Sequence, residues 1–246
     1  MKIACSSATF ARELIDGTMT QLEWLDACAN ELEVDGVVFD LAQFARLDLE
    51  YLAQLKKHAA DLGLTVAGVD AGDLFAESGV TCIEVAVALG APLAIGPAPH
   101  ANDDAAAWGA FTALAGRRAR EAKRANVTLA VRNVSGSLCA TSGDLRRLAK
   151  DVDSSWLRFA FDLASFSEAS GRETLLAKSV IAWHDIVDLA TFALPDDERA
   201  RRLDERLARF RGFIVLGGVA PLDARPAYHA AIERYIARRA ATLAAS

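Results

Sequence analysis

Residues 36–70, GVVFDLAQFARLDLEYLAQLKKHAADLGLTVAGVD, contain one complete strand–helix–strand unit. GVVFD, at residues 36–40, and LTVAGVD, at residues 64–70, are short, mostly apolar runs, which is typical of strands that are buried on both faces. The helical pattern over residues 48–62 ends just before Gly63, a residue that suits the left-handed position after a helix. This unit predicts two parallel strands joined by a crossover helix.

The same unit repeats along the whole chain. Eight strand candidates begin at Lys2, Gly36, Leu64, Pro92, Val127, Leu157, Val180 and Gly212. Helices are predicted over residues 20–32, 48–62, 79–89, 103–124, 142–151, 172–177, 197–210 and 226–242. Thr20, with a glutamate three residues later, has the capping-box pattern, and Pro226 suits a first helical turn. Eight units in 246 residues predict an α/β protein with a single (β/α)8 TIM barrel over residues 1–246.

An open, doubly wound sheet is the alternative arrangement of such units. That fold places a G-x-G-x-x-G turn after an early strand, whereas the first strand here leads into SSATFAREL, which contains no glycine. GFIVLGG near residue 212 has adjacent glycines without that spacing, and it is interpreted as a strand end and turn. The barrel is therefore favoured, with its ligand site at the C-terminal ends of the strands.

Composition limits the kinds of partner. The net charge is −6 and the sequence pI is about 5.3, so the chain has no overall positive field to hold a nucleic-acid backbone. The four cysteines are scattered without a C-x-x-C pair, which predicts neither a zinc site nor a disulfide framework. No window is apolar enough to span a bilayer. We expect a cytoplasmic protein with no nucleic-acid or membrane partner. The sequence does not decide whether the chain forms a homo-oligomer.

Seven segments, in order, carry a resemblance to a known family. They are KIACSS, DGTMTQLEWLDACANELEVDGVVFD, LAQLKKHAADLGLTVAGVD, AVALGAPLAIG, VTLAVRN, LRFAFDLASF and RGFIVLGG. Together they resemble the xylose isomerase-like barrels, which include sugar phosphate isomerases and epimerases and the family 2 AP endonucleases. The resemblance covers nearly the whole chain and implies the TIM barrel fold.

The resemblance also implies a divalent metal, held by glutamate after strand five, aspartate after six, histidine after seven and glutamate after eight. The metal polarises sugar oxygens, and the two glutamates move a proton. Here Arg132 of LAVRN stands at the first of these positions, Asp162 keeps the second, and Ala182 and Gly217 stand at the last two. A degenerate metal site follows. We expect no metal cofactor, unless a shift of two residues recruits His184 beside Asp162.

Arg132 and Asp162 are expected to form a charge-assisted pair in the place of the missing ion. The pair either presents donors to a ligand or only neutralises a decayed site. Around it, the candidate substrate-binding residues are Arg132, Asn133, Ser165, Asp70, His100 and Asp40. For Asp70, beside Gly72, a turn-forming role competes with ligand contact. For His100, in a Pro- and Asn-rich loop, solvent exposure competes with it.

His184, Asp185 and Asp162 are the candidate catalytic residues. A histidine beside an aspartate at a barrel strand end suits acid–base chemistry, although His184 could instead pack as a hydrogen-bonded residue under Trp183. Neighbouring residues of a strand point to opposite faces, so only one of His184 and Asp185 is expected to act.

Three functions remain open from the sequence. The favoured one is a sugar isomerase- or epimerase-like protein that binds a sugar, sugar phosphate or sugar acid at the barrel mouth. The second is an active isomerase, epimerase or lyase in which His184 or Asp185 is the base and Arg132 stabilises an oxyanion. The third is a non-catalytic interaction protein with a vestigial pocket, which a cavity filled by Trp183 or Phe166 would favour. The chain's four histidines and acidic balance disfavour the endonuclease branch, and no G-x-S-x-G elbow supports acyl chemistry.

Overall fold

Eight parallel strands form a closed barrel in a computed structural model of the chain. The structure describes residues 2–101, 106–162, 179–185 and 210–217, together with Glu233, Ala237 and Ala240. The strands are β1 (Lys2–Ser6), β2 (Gly36–Asp40), β3 (Thr65–Asp70), β4 (Leu93–Pro97), β5 (Thr128–Arg132), β6 (Leu157–Asp162), β7 (Ser179–Asp185) and β8 (Phe213–Gly217). Each strand pairs with the next, and β8 pairs with β1. The fold that the sequence predicts, a single (β/α)8 TIM barrel, is confirmed.

Six α-helices lie in the described part of the chain. They are α1 (Ala11–Asp16), α2 (Gln21–Asn30), α3 (Leu49–Asp61), α4 (Ser78–Leu89), α5 (Ala107–Ala125) and α6 (Ser142–Val152). The sequence predicts α2 to α6 within a few residues at each end. It misses α1 and two short 3-10 helices, Ser7–Phe10 and Leu41–Gln43, which follow β1 and β2. The predicted helix over 172–177, and nearly all of those over 197–210 and 226–242, lie outside the described residues.

Local signals explain where several helices begin and end. Thr20 and Glu23 form the predicted capping box, with the Thr20 hydroxyl accepting from the Glu23 backbone and the Glu23 carboxylate accepting from that of Thr20. Gly63 and Gly90 have φ values of +74° and +73° after α3 and α4, in the left-handed region where glycine pays no steric cost. The unit quoted from residues 36–70 therefore forms as the sequence predicts.

The core has two layers, separated by the sheet. Apolar residues that point outward from the strands pack against the helices in the larger layer. The inner layer takes side chains from all eight strands, and its members are Ala4, Val38, Ala67, Ile95, Ala130, Ala160, Ile181, Trp183 and Val215. Because four of these residues are alanines, one large side chain, that of Trp183, fits inside the barrel beside them.

All four cysteines are free and buried. Burial raises the pKa of the Cys28, Cys82 and Cys139 thiols, to about 12 for Cys139. These thiols therefore behave as small apolar core groups. In the described part of the chain, no helix has the length and apolar character needed to cross a membrane.

Candidate functional site

Among the residues whose side chains the structure describes, four charged ones stand at the C-terminal ends of barrel strands: Asp40 on β2, Asp70 on β3, Arg132 on β5 and Asp162 on β6. Each lies two residues beyond an inward-facing position of its strand. Because side chains alternate along a strand, these side chains also lie on the inward face. At β3 the alternation is set by an irregularity that brings Gly68 opposite Val38 and Asp70 opposite Asp40. These residues form the barrel mouth.

Arg132 is fixed from two sides. Its Nη1 atom lies 3.1 Å from Oδ2 of Asp70, and the guanidinium carbon lies 4.7 Å from the ring centroid of Trp183. The side chain of Arg132 is 18% exposed, so the cation is partly desolvated and interacts strongly with the aromatic face beneath it. Its Nε atom is buried and has no hydrogen-bond partner among the described residues. The arrangement holds the positive charge of Arg132 in the mouth.

Asp70 serves both the turn and the ion pair. Its Oδ1 accepts from the Gly72 backbone at 3.0 Å, which is the turn-forming role expected from the sequence. Its Oδ2 is the partner of Arg132. From the sequence, Arg132 is expected to pair with Asp162, and Asp70 is expected at the site but not as the partner of Arg132. Arg132 and Asp70 each end a strand, which indicates that both lie at the mouth. Sequence spacing does not show that the Arg132 side chain extends past β4 to reach Asp70.

Asp162 is placed by Asn133. The Asn133 side chain donates to the Asp162 carbonyl at 3.0 Å and accepts from the Asp162 backbone N–H at 2.8 Å. Asn133 is fully buried, and Asp162 is 9% exposed. Both ends of the amide are thus engaged in holding the end of β6 against β5. This geometry makes Asn133 a positioning residue for Asp162, whereas the sequence suggested contact with a ligand.

Asp40 is held less tightly than Asp70, since hydrogen bonds or ion pairs engage one of its carboxylate oxygens and both of those of Asp70. Its backbone N–H donates to Oγ of Ser7 at 2.8 Å, and its Oδ1 accepts from the Ala42 backbone at 2.9 Å. Its Oδ2 has no hydrogen-bond partner among the residues that the structure describes. Burial, and then the nearby negative charge of Asp70, raise the pKa of Asp40, while Arg132 opposes the shift. Asp40 therefore holds a proton more readily than an ordinary aspartate.

Trp183 and Gly217 fit together inside the barrel. A Cβ atom added to Gly217 would lie 2.4 Å from Nε1 of Trp183 and 2.8 Å from its Cε2. The indole therefore occupies space that any side chain at position 217 would need. Trp183 is 5% exposed, and its ring forms the cation–π contact with Arg132 from below the mouth. From the sequence, Trp183 is considered only as a side chain that fills the pocket at the barrel mouth in the interaction-protein alternative.

His184 and Asp185 are the last two residues of β7. His184 is 1% exposed and alternates with Trp183, so it occupies the same outward phase as Ala182 in the layer between sheet and helices. The acid–base role of His184 stays a prediction. Asp185 pairs with Gly217 in the β7–β8 register.

The remaining predicted site residues are His100 and Ser165. His100 is exposed and forms an antiparallel bridge with Ser137. Backbone hydrogen bonds of 2.8 Å join Ala101 to Gly136 and Leu138 to Pro99, so the loops after β4 and β5 are connected beside the mouth. Ser165, like Phe166, lies outside the described residues. Among the described residues, no three His, Cys, Asp or Glu side chains lie close enough together to hold a metal ion.

The chain belongs to the xylose isomerase-like TIM barrel family. The family model matches residues 27–206, which is most of the chain and includes strands β2 to β7. No curated protein shows significant sequence similarity to it. The membership agrees with the resemblance carried by the strand motifs.

Solved structures with the same fold include sugar epimerases. An L-ribulose 3-epimerase superposes with a TM-score of 0.77 at 19% identity, over 100% of this chain and 98% of that one. D-psicose 3-epimerase from Clostridium cellulolyticum H10, solved with D-tagatose, gives 0.77 at 14% identity, over 97% and 99%. A xylose isomerase-like TIM barrel protein from Mycobacterium smegmatis, in complex with magnesium, gives 0.73 at 15%, over 98% and 97%. At these identities the similarity establishes the fold.

Proposed function

We propose that this chain binds a small polar ligand, a sugar, sugar phosphate or sugar acid, at the barrel mouth. We propose further that Arg132 supplies the positive charge that a divalent metal supplies in metal-dependent relatives. The observation that carries the proposal is the position of the guanidinium, held between Asp70 and the Trp183 ring at the end of β5. A cation that is fixed before the ligand arrives loses little freedom on binding.

The residues at the family's metal positions do not fit a divalent ion. Arg132 is itself a cation, and Ala182 and Gly217 have no ligand atoms in their side chains. Space also argues against an ion held from position 217, because the Trp183 indole lies where a side chain on Gly217 would extend. Asp162 alone keeps the ligand type, and a divalent ion needs several such donors.

The chemistry of the guanidinium indicates how a ligand would be held. Nη1 of Arg132 is engaged with Asp70, which leaves its other N–H groups as donors. Such donors suit hydroxyl, carboxylate or phosphate oxygens, and a planar guanidinium favours paired oxygens. Asp40 adds an acceptor on the neighbouring wall. The site therefore combines one fixed cation with carboxylate acceptors, as a polyhydroxylated ligand requires.

A non-catalytic interaction protein is the second candidate, and the burial of Trp183 favours it. The indole belongs to the inner core layer and fills the centre of the barrel below Arg132. In this alternative, the Arg132–Asp70 pair only neutralises charge, and the outer helices carry the function. The two candidates differ in whether the mouth takes up a ligand.

Calorimetric titration of the purified chain tests the proposal. The probes are D-tagatose, which is the sugar in one structural relative, D-fructose 6-phosphate and 2-keto-D-gluconate, each titrated in the presence of EDTA. We expect at least one probe to bind without added metal, and Arg132→Gln to weaken that binding about tenfold or more, because a charged hydrogen-bond donor is lost. Arg132→Lys keeps the charge but loses the paired donors, so an intermediate affinity is expected.

Arg117→Gln is the matched control, because Arg117 is exposed on α5, outside the barrel. It should leave the affinity unchanged. Absence of binding by all three probes, or equal affinity of wild type and Arg132→Gln, contradicts the proposal and favours the interaction protein. Circular dichroism of each variant separates loss of binding from loss of folding.

A further inference from the structure

We propose that Asp40 is the acid–base group of the mouth, exchanging a proton with the carbon next to the carbonyl of a bound ketose. This inference rests on the proposed function, since it needs a ligand at the mouth. It assigns proton transfer to β2, whereas the sequence placed it on β7.

The carboxylates of β2 and β3 differ in their hydrogen bonds. Asp70 uses Oδ1 for the Gly72 backbone and Oδ2 for Arg132, so both of its oxygens are engaged. Asp40 uses Oδ1 for the Ala42 backbone, and in the described part of the chain its Oδ2 has no partner. A general base needs an unengaged lone pair within reach of the substrate proton. Asp40 has one oxygen without a partner among the described residues, whereas both oxygens of Asp70 are engaged.

Asp40 is also held in a defined orientation. Its N–H donates to Ser7 and its Oδ1 accepts from Ala42, and these contacts fix the end of β2 and one side of the carboxylate. Asp40 lies opposite Asp70 in the register of β2 and β3, on the inward phase of its strand. Because one carboxylate oxygen is held and the other is open, Oδ2 has a defined orientation for proton transfer.

The electrostatic surroundings suit the same role. The charged groups that act on Asp40 are Asp70, which disfavours its ionised form, and Arg132, which favours it. Burial, followed by the negative charge of Asp70, raises the pKa of Asp40 above its ordinary value. A carboxylate with a raised pKa is a stronger base than an ordinary aspartate, and it holds the abstracted proton until that proton is returned.

The proposed step is balanced within the site. Asp40 takes the proton from the carbon adjacent to the carbonyl, and the electron pair of that C–H bond forms a carbon–carbon double bond. The carbonyl electron pair moves onto its oxygen, giving an enolate whose charge is stabilised by the guanidinium of Arg132. Return of a proton from Asp40 restores the ketose. In heavy water the carboxyl exchanges its proton with solvent, so the ketose gains deuterium at that carbon.

Deuterium uptake therefore tests the role of Asp40. The wild-type chain is incubated in heavy water with whichever of D-tagatose, D-fructose 6-phosphate and 2-keto-D-gluconate it binds, and the loss of the proton signal at the adjacent carbon is followed by NMR. We expect uptake above the protein-free rate, and Asp40→Asn to slow it about 100-fold or more. The dissociation constant, measured in parallel, should change much less than the exchange rate. Asp61→Asn, at an exposed position of α3, is the control and should exchange like wild type.

The outcomes separate the two proposals. If no ketose binds, the proposed function fails and the role of Asp40 falls with it. If a ketose binds but wild type gives no uptake above the protein-free rate, ligand binding stands and the acid–base role of Asp40 is overturned. Uptake that persists in Asp40→Asn overturns it as well, and assigns the proton transfer to another group.

Discussion

Arg132 reaches past β4 to pair with Asp70, whose Oδ2 lies 3.1 Å from its Nη1. The two residues stand at the ends of β5 and β3, so the pair crosses the mouth and links two strands that are not adjacent. The cation is held on the ring of Trp183 at the same time. The position of the positive charge thus depends on three strands, β3, β5 and β7.

Asp70→Asn isolates the charge in this pair. Asparagine can keep the Oδ1 bond to the Gly72 backbone while it loses the ion pair, so Arg132 is left with a weaker partner. We expect the free energy of unfolding, measured by urea denaturation, to fall by about 1–3 kcal/mol, as for charged hydrogen bonds in general. Asp73→Asn, in the same loop, keeps a comparable turn bond to Phe75 and should lose less. Equal losses in the two variants contradict the importance of the pair.

Asp40→Asn should change how stability depends on pH. Because the pKa of Asp40 is raised, the folded chain binds a proton more tightly than the unfolded chain does. Folding then takes up a proton in the interval from the ordinary value of 3.8 to the raised one, and this contribution to stability falls as pH increases. Asparagine does not ionise, so the Asp40→Asn variant does not lose this contribution to stability as pH increases.

Asp40→Asn is therefore expected to be more stable than wild type at pH 7, with the difference shrinking as pH falls toward 3.8. Thermal unfolding across this pH range measures the difference. A variant that is less stable than wild type at pH 7, or a difference that grows on acidification, contradicts the direction of the shift.

Asn133→Ala removes both bonds to the backbone of Asp162 and leaves a buried N–H and a buried carbonyl without that partner. Each unsatisfied buried group costs about 1–3 kcal/mol, so we expect a loss of about 2–4 kcal/mol in urea denaturation. Asn30→Ala, at the exposed end of α2, should change stability by about 0.5 kcal/mol or less. A loss at position 133 no larger than that of this control contradicts the positioning role.

Gly217→Ala should displace Trp183. The added Cβ would meet the indole at 2.4 Å, so the ring must shift and the floor beneath Arg132 changes. We expect a loss of about 1–3 kcal/mol, typical of overpacking, and a change in tryptophan fluorescence. Gly109→Ala is the control, since nothing lies within 4 Å of its added Cβ on α5, and it should stabilise the helix by up to about 1 kcal/mol. Unchanged stability and fluorescence at position 217 contradict the close packing.

The strands were predictable because each is a short apolar run with glycine, proline or asparagine nearby, and closure into a barrel followed from their number. The short helices after β1 and β2 were missed because they depend on side-chain caps from Ser6 and Asp40. The family motifs placed Arg132 and Asp162 at the mouth, and the position of Asp70 at the end of a strand made it a further candidate. These signals could not predict which carboxylate the arginine meets, because a long side chain spans several strand ends.

The assignment of His184 shows a second limit. Strand alternation indicated that His184 and Asp185 differ in direction, but the sequence alone could not fix which of them faces the lumen. In the structure, the ring of Trp183 lies inside the barrel among inward-facing alanines and against Gly217. Packing of one large side chain thus determines the phase of β7.

Metal content and metal dependence of ligand affinity test the role of Arg132 most directly. The chain is purified without chelator, its Mg, Mn and Zn content is measured by mass spectrometry, and the dissociation constant of the bound ketose is compared with and without EDTA. We expect well under one equivalent of metal per chain and the same dissociation constant in both conditions. Stoichiometric, tightly bound metal, or loss of ligand affinity in EDTA, would contradict the replacement of the ion by Arg132.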